Sequence, residues 1–547
     1  MMDFACFRNK LQHLCNCSCL KLSCFCRSKW LLLLCLYRYI VFRVNPFTLR
    51  VCYFISVSLV GFWVLNSLKP RSHHFRPRNL DLFFTSVSAT TVSSMSTVEM
   101  EVFSDGQLVV LAILMFVSGK VFTSMVRLHL LRSKLWRSRE NQCQVNSSGT
   151  NGLCSPTDSL NEVELGTKVA AMADPERSRS NFDISQGAIM TLDRENLKHD
   201  SIKFLGTVVL GYFLVIHVVG VVSVLVYIAA TSSAKDVLTR KGLQTFTFSV
   251  FTTVSTFASG GFIPTNESMM VFRKNSGLLL ILLPQVLLGN TLFPSCLRFS
   301  IWFIGKFVKK GEARFLLRNT EEIGYFHLLP GLHSSLLVMT VSGFILVQFV
   351  LFCSMEWNSA ALGGLNSYQK VIGALFQTVN ARHSGETIVD LSTIAPAILV
   401  VFIVMMYLPP YTSFLLTKGD EEWPLKPEGR KKRRGTLVEN FIVSQLSYLA
   451  IFVVLICVTE RKKMQEDPLN FNVFNIIFEV ASAYGNVGFT MGYSCSRQLK
   501  PDGSCEDKWF GFSGKWSDEG KVILILVMFL GRLKKSNMEG GKAWKLL

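Results

Sequence analysis

Four short runs of the chain share a pattern suited to stripping water from a small cation. The first reads Phe84-Thr-Ser-Val-Ser-Ala-Thr-Thr-Val-Ser-Ser94, the second Phe251-Thr-Thr-Val-Ser-Thr-Phe-Ala-Ser-Gly-Gly261 and the fourth Phe478-Glu-Val-Ala-Ser-Ala-Tyr-Gly-Asn-Val-Gly488. Phe, Thr, Val and Ser recur at matched places, so Ser94 falls opposite Gly261 and Gly488. The third, Phe376-Gln-Thr-Val-Asn-Ala-Arg-His-Ser-Gly385, is one residue shorter from Phe to Gly, which leaves its register less fixed. Each run is too apolar for a loop and too short to cross a bilayer, for which a helix needs about 20 residues. Irregular backbone at membrane depth survives only against protein or water. A short helix that descends and returns as extended chain therefore lines an aqueous path. Its C-terminal end carries partial negative charge, and the returning strand offers carbonyl oxygens to a partly dehydrated ion. Glycine at the tip reaches backbone angles closed to residues with a Cβ. One such glycine alone would read as a tight turn; aligned tips in four repeats favour the pore.

Beside the tips stand Val92 and Ser93, Ser259 and Gly260, His383, Ser384 and Glu386, and Asn486 and Val487. Glu386 is expected to add negative charge at the outer mouth. A lone histidine such as His383 is more often a hydrogen-bonded structural residue than an ion ligand. Ser94 is expected to bar the fully glycine-like backbone at its position and to put a hydroxyl in or beside the path. The alternative is a small residue that packs without touching ions.

The elements that must hold these runs are apolar spans. The chain has 547 residues, of which 49% are hydrophobic and only 17% charged, with a mean hydropathy of +0.34. An ordinary soluble domain carries about 25% charged residues. This excludes a disordered or collagen-like chain and a cytosolic enzyme. Spans are expected at 47–68, 107–131, 203–230, 277–303, 326–354, 392–414, 441–458 and 519–533. The fold class is thus an all-α polytopic membrane protein, with eight transmembrane helices and four re-entrant hairpins around a central pore. The organisation is a cytoplasmic Cys-rich basic tail over 1–45, repeats over 46–131, 203–315, 316–420 and 421–547, and a flexible cytoplasmic linker over 132–202.

The 57 Lys and Arg outnumber the 38 Asp and Glu, for a net charge of +19. Arg132, Lys134, Lys309, Lys310, Lys426, the run 430–434, Lys534 and Lys535 all follow even-numbered spans. The positive-inside rule then makes that side, and both termini, cytoplasmic. Lys69, Arg71, Arg76 and Arg78 break the rule on the outer side, and 461–463 is a smaller discord. No cleavable signal peptide is read: the apolar stretch 30–42 is short and interrupted by Arg38. Fifteen cysteines include eight before residue 53, mostly in C-x-C spacing that does not suit a structural zinc site. Cys495 and Cys505 differ, since they fall in a Gly-rich outer loop where a disulfide is expected. Asn266 heads a glycosylation sequon too close to a hairpin to be reached. There is no H-E-x-x-H helix, P-loop or nucleotide motif, so neither an enzyme, an ATP-driven pump nor a nucleic-acid partner is expected.

Several runs resemble the plant HKT transporters of the Trk/Ktr/HKT superfamily, which carry monovalent cations. They are 86–104, 251–257, Gly261-Phe-Ile-Pro-Thr-Asn-Glu267, Gly531-Arg-Leu-Lys-Lys535 and the C-terminal Gly540-Gly-Lys-Ala-Trp-Lys-Leu-Leu547. The resemblance covers about residues 45 to 547. It implies four membrane–pore–membrane repeats, with Ser94, Gly261, Gly385 and Gly488 as a selectivity filter that holds the transported ion transiently. A Ser-Gly-Gly-Gly filter resembles the subfamily that carries mainly Na+; K+ transport or Na+–K+ cotransport is the alternative. The resemblance further implies a plasma-membrane homodimer with one pore per subunit, no resident cofactor, and an Arg at position 532 that narrows the pore. An ordinary cytoplasmic anchor is the other reading of Arg532. Two departures stand out: Ala258-Ser-Gly-Gly-Phe262 has adjacent glycines, and Lys120 sits where the family has an acidic or neutral residue. A lysine within a span must face water, the pore or a partner, or else snorkel.

Overall fold

A computed structural model of the protein describes residues 46–71, 76–147, 175–415, 445–499, 505–508, 510–537 and 543–545. The chain divides into two units, residues 1–56 and 57–547. Of the first, the described residues open helix α1 (Pro46–Ser67); the packing discussed below lies within the second. The cysteines from Cys6 to Cys35 and the run 430–434 lie outside the described residues.

The element order repeats four times as an apolar helix, a short helix of 13–14 residues, and a further helix or bent helix pair. The first set is α1, α2 (Asn79–Thr91) and the pair α3 (Asp105–Ser118) and α4 (Lys120–Ser147). The second is α5 (Pro175–Ala230), α6 (Thr245–Ala258) and the pair α7 (Ser276–Gly289) and α8 (Phe293–Phe307). The third is α9 (Gly331–Glu356), α10 (Ser367–Asn380) and α11 (Pro396–Tyr407). The fourth is α12 (Gln445–Thr459), α13 (Val473–Gly485) and α14 (Asp518–Asn537). The molecule is an all-α polytopic membrane protein. A two-stranded parallel ribbon, β1 (Ser413–Leu415) with β2 (Ala543–Lys545), is a small addition to it.

Among the described residues, three helices are long and apolar enough to span a membrane, and five if each bent pair counts as one. The α3–α4 pair bends by 50° at Gly119 and the α7–α8 pair by 85°. The sixth expected span, 392–414, is shorter than its apolar run suggests. Its helix α11 begins at Pro396 and ends at Tyr407, ahead of Pro409 and Pro410, because proline ring atoms disfavour helical backbone in the residue before. Residues 441–444 of the seventh lie outside the described set.

One expectation is corrected. The linker 132–202 is not a loop where it is described: 132–147 continues α4 and 175–202 belongs to α5. Its Ser and Asn obscured good helix formers, and Arg194 and Lys198 on α5 pair with Glu322 at 2.9 and 3.6 Å. Two of the four basic residues that break the positive-inside pattern, Arg71 and Arg78, meet carboxylates, while Arg76 bonds Asn66. Arg71 pairs with Asp105 at 3.1 Å and Arg78 bonds Asp518. In the run 461–463, Lys463 pairs with Glu460 at 3.1 Å.

Candidate ion pathway

The short helices α2, α6 and α13 end in the same way. Val92, Ser259 and Asn486 take left-handed backbone, with φ of 56°, 63° and 43°. Each amide there bonds the carbonyl three residues back, and the next amide bonds the carbonyl five back, as Ser93 does to Ser88 at 2.9 Å and Val487 to Ser482 at 3.1 Å. This paired closure satisfies carbonyls a helix end leaves open and turns the chain sharply. Three residues after each helix end comes the tip: Ser94 after Thr91, Gly261 after Ala258, Gly488 after Gly485.

The third hairpin reaches its tip differently, which accounts for its missing residue. Helix α10 stops at Asn380, and Ala381 stays right-handed. A turn through 381–384 follows, and Gly385 donates to the Asn380 carbonyl at 3.2 Å. Arg382 holds this turn. It bonds the Pro409 carbonyl, lies 3.4 Å from that of Pro410 and stacks over the Phe344 ring at 5.2 Å. His383 is a hydrogen-bonded structural residue, with Nδ1 on the Val379 carbonyl and Nε2 on Thr291 Oγ1 at 2.7 Å.

All four tips have positive φ. The φ angles are 57° at Ser94, 61° at Gly261, 70° at Gly385 and 103° at Gly488. Adjacent glycines in the second hairpin are thereby distinguished: Gly261 is the left-handed tip, whereas Gly260 packs on Met115. The tips also touch in a closed cycle. A Cβ added at Gly261 would overlap the Ser384 carbonyl and lie 2.9 Å from Ser94 Oγ. One at Gly385 would overlap the Val487 carbonyl and fall 2.7 Å from the Gly488 carbonyl carbon. One at Gly488 would overlap Ser94 and lie 2.9 Å from the Ser93 carbonyl oxygen. First meets second, second meets third, third meets fourth, and fourth meets first. Asn486 secures the last seam by donating to Ser93 Oγ at 2.8 Å and to the Met528 carbonyl at 3.1 Å.

Ser94 corrects the expectation that a side chain would bar the glycine-like backbone. It adopts that backbone, at a cost of about 1–2 kcal/mol for an L-residue, and its side chain fills the space between the tips of Gly261 and Gly488. Nor does Glu386 stand at an open mouth. It is fully buried and accepts from Thr256 Oγ1 at 2.6 Å, with Oε2 lacking a protein partner. The left-handed backbone at Gly385 turns the next residue back behind the ring, where the second hairpin meets it. Buried hydroxyls of Ser118, Ser255 and Ser259 also lack partners. Such orphans call for water or an ion.

Two positioning residues escaped the reading of the sequence. Gln377 accepts from the Ile388 amide at 3.1 Å, and Glu479 from the Met491 amide at 3.2 Å. Each follows the Phe of its run and ties a short helix to its own returning strand. Their shared place after Phe376 and Phe478 was the available signal.

Residues 185–415 and 426–538 match the family model TrkH, a cation transport protein. The chain belongs to the TrkH family of cation transport proteins. It is 47% identical over 506 residues to "Cation transporter HKT1;3" of Oryza sativa subsp. japonica, covering 92% of each chain. It is 48% identical over 492 residues to "Sodium transporter HKT1" of Arabidopsis thaliana, covering 88% of this chain and 91% of that one. This is therefore an HKT-type transporter: a multi-pass membrane carrier of monovalent cations, not an enzyme. The solved potassium transporter TrkH of Vibrio parahaemolyticus aligns over 90% of this chain and 83% of its own, at 14% identity and a TM-score of 0.46.

In this HKT-type chain Lys120 neither snorkels nor stands apart: it bonds Asn290 Oδ1 at the break between α7 and α8. Arg532 is buried at 4% exposure and donates to the Ser118 carbonyl, where α3 gives way to α4. A cytoplasmic anchor would extend to solvent, so that reading is corrected. Cys495 and Cys505 are joined by a disulfide. Outside the ring, Lys241 bridges Glu101 at 2.7 Å and Glu267 at 2.8 Å, joining the first two repeats. Burial works against its charge, but both carboxylates together outweigh it and hold its pKa above the ordinary lysine value. The Asn266 amide is engaged in the same seam, 3.3 Å from Glu99 Oε2.

Proposed function

We propose that this transporter moves Na+ passively down its electrochemical gradient through the ring of Ser94, Gly261, Gly385 and Gly488. The reading places it in the plasma membrane of a plant cell with both termini cytoplasmic. There it acts as a homodimer with one pore per subunit and no resident cofactor, in sodium homeostasis and salt tolerance. A membrane potential supplies about 2.3 kcal/mol per charge per 100 mV, so no chemical energy source is needed. The closed cycle of four left-handed tips carries the proposal. The short helices ending three to five residues before each tip lend partial negative charge.

Na+ preference then rests on the Ser94 side chain rather than on a distorted backbone. A hydroxymethyl wedged between neighbouring tips narrows the ring and adds a hydroxyl oxygen, which suits the smaller ion. One observation favours the alternative of K+ transport or Na+–K+ cotransport: Ser94 takes a positive φ as the three glycines of the ring do. Voltage clamp in oocytes with Na+ and K+ exchanged separates the two. Ser94→Gly is expected to lower the Na+/K+ permeability ratio about tenfold, worth about 1.4 kcal/mol of discrimination. An unchanged ratio would remove Ser94 from the filter. Ser94→Ala, which keeps the Cβ but loses the hydroxyl, shows which of the two matters.

Arg532 is the constriction in this reading, a fixed positive charge that raises a barrier to cations. Arg532→Ala is expected to increase the current per transporter at the cell surface. Unchanged current with normal surface labelling would leave it as a strut between α14 and α3.

A further inference from the structure

The outer segment 510–516 of the fourth repeat lies across the returning strand of the first. Gly511 approaches Ser96 so closely that an added Cβ would overlap the Ser96 carbonyl oxygen. Ser513 Oγ donates to that same carbonyl at 3.2 Å, and a Cβ at Gly514 would lie 3.1 Å from the carbonyl of Thr97. The segment is itself fastened to the fourth repeat. The Phe512 amide donates to Thr490 Oγ1 at 2.9 Å, and Thr490 bonds Glu479 on α13. The Phe512 ring packs against Phe471 at 4.8 Å and Trp516 at 5.7 Å. Lys508 adds an ion pair with Glu99 at 3.5 Å. Ser96 and Thr490 each lie two residues beyond a tip, Ser94 and Gly488, and these two tips close the ring.

We propose that this strap, acting through Gly511 and Ser513 on the Ser96 carbonyl, sets the position of Ser94 and so tunes which cation passes. The inference rests on the ring being the filter. Its physical basis is that packed interiors transmit displacement rather than absorb it. A strand pinned two residues from a tip cannot move without moving the tip. The seam between first and fourth repeats joins distant parts of the chain, so only contacts of this kind hold it in register. Gly511 and Ser513 are positioning residues here, since neither touches the axis of the ring.

Gly511→Ala is the direct probe. Gly511 has φ of 176°, extended backbone that any residue adopts, so alanine acts only by pushing on Ser96. Full-length transporter is expressed in oocytes, quantified by surface labelling, and its reversal potential measured with Na+ and K+ exchanged. The expected result is about a fivefold fall in the Na+/K+ permeability ratio, and a smaller shift of the same sign for Ser513→Ala. A purely structural role would reduce surface protein and current together while leaving the reversal potential of the remainder untouched, and that outcome overturns the proposal. Should Gly511→Ala fail to reach the surface, Ser513→Ala decides by the same criterion, since it removes one hydrogen bond and adds no bulk. Ser94→Gly runs alongside. If it shifts the ratio and the strap variants do not, the strap inference fails and the filter stands; if none does, the filter reading has failed.

Discussion

Gly261→Ala is expected to cut ion current severely in a protein that still reaches the membrane. Two costs coincide at this position. The backbone has φ of 61°, which for an L-residue costs about 1–2 kcal/mol. Ser94 shows that the fold tolerates this cost. The second is steric: the new methyl would occupy the place of the Ser384 carbonyl oxygen and crowd Ser94 Oγ at 2.9 Å. Backbone cannot yield as a flexible side-chain end can, so the strand of the third hairpin must move and the cycle of tips opens. Current per surface-labelled transporter should fall by more than about tenfold, the consequence of a barrier raised by about 1.4 kcal/mol or more. Gly343→Ala on α9, where an added Cβ meets nothing within 4 Å, should conduct as the parent does. Parent-like current through Gly261→Ala would mean that the ring is not on the ion route.

The second large effect concerns folding. Lys521 on α14 meets Asp81 in the first turn of α2 at 2.7 Å, with side-chain exposures of only 6% and 11%. Removing one member of a buried pair leaves an uncompensated charge and costs about 3–5 kcal/mol. The two truncations should differ. Without Lys521, Asp81 still has the amides at the start of α2 and Arg78 at 3.9 Å. Without Asp81, no other carboxylate among the described residues lies within ion-pair distance of Lys521. Asp81→Ala should therefore lower the thermal midpoint of detergent-solubilised protein more than Lys521→Ala. The double change Asp81→Leu with Lys521→Met should recover much of the loss, because a pair of apolar side chains leaves no buried charge. Equal midpoints for parent and Asp81→Ala would show that the pair contributes nothing to stability.

Particular residues show where reading the chain succeeds. Aligning Phe84, Phe251 and Phe478 was enough to put Ser94, Gly261 and Gly488 in register, and the structure brings these three together with Gly385. The third hairpin was legible as a hairpin but not in its path. Its turn depends on Arg382 reaching Pro409 and Pro410, contacts across 27 and 28 residues that no local pattern announces. Glu386 was misplaced for a similar reason: its neighbour Thr256 lies 130 residues away. The polar stretches 132–147 and 175–202 misled through composition, since Ser and Asn signal loops only where tertiary contacts do not override them.

By itself the sequence determined membrane residence, the four-fold repeat, three of the four tip residues and the pairing of Cys495 with Cys505. Those are local properties: the length of an apolar run, the spacing from a phenylalanine, the absence of a Cβ. The tertiary structure alone decided that Ser94 takes a left-handed backbone, that Arg532 is buried against Ser118, that Lys120 meets Asn290, and that the fourth repeat straps down the first. Each of these is a balance between a local cost, whether backbone strain or a desolvated charge, and partners supplied from more than a hundred residues away, and only the folded chain brings the two sides of that balance together.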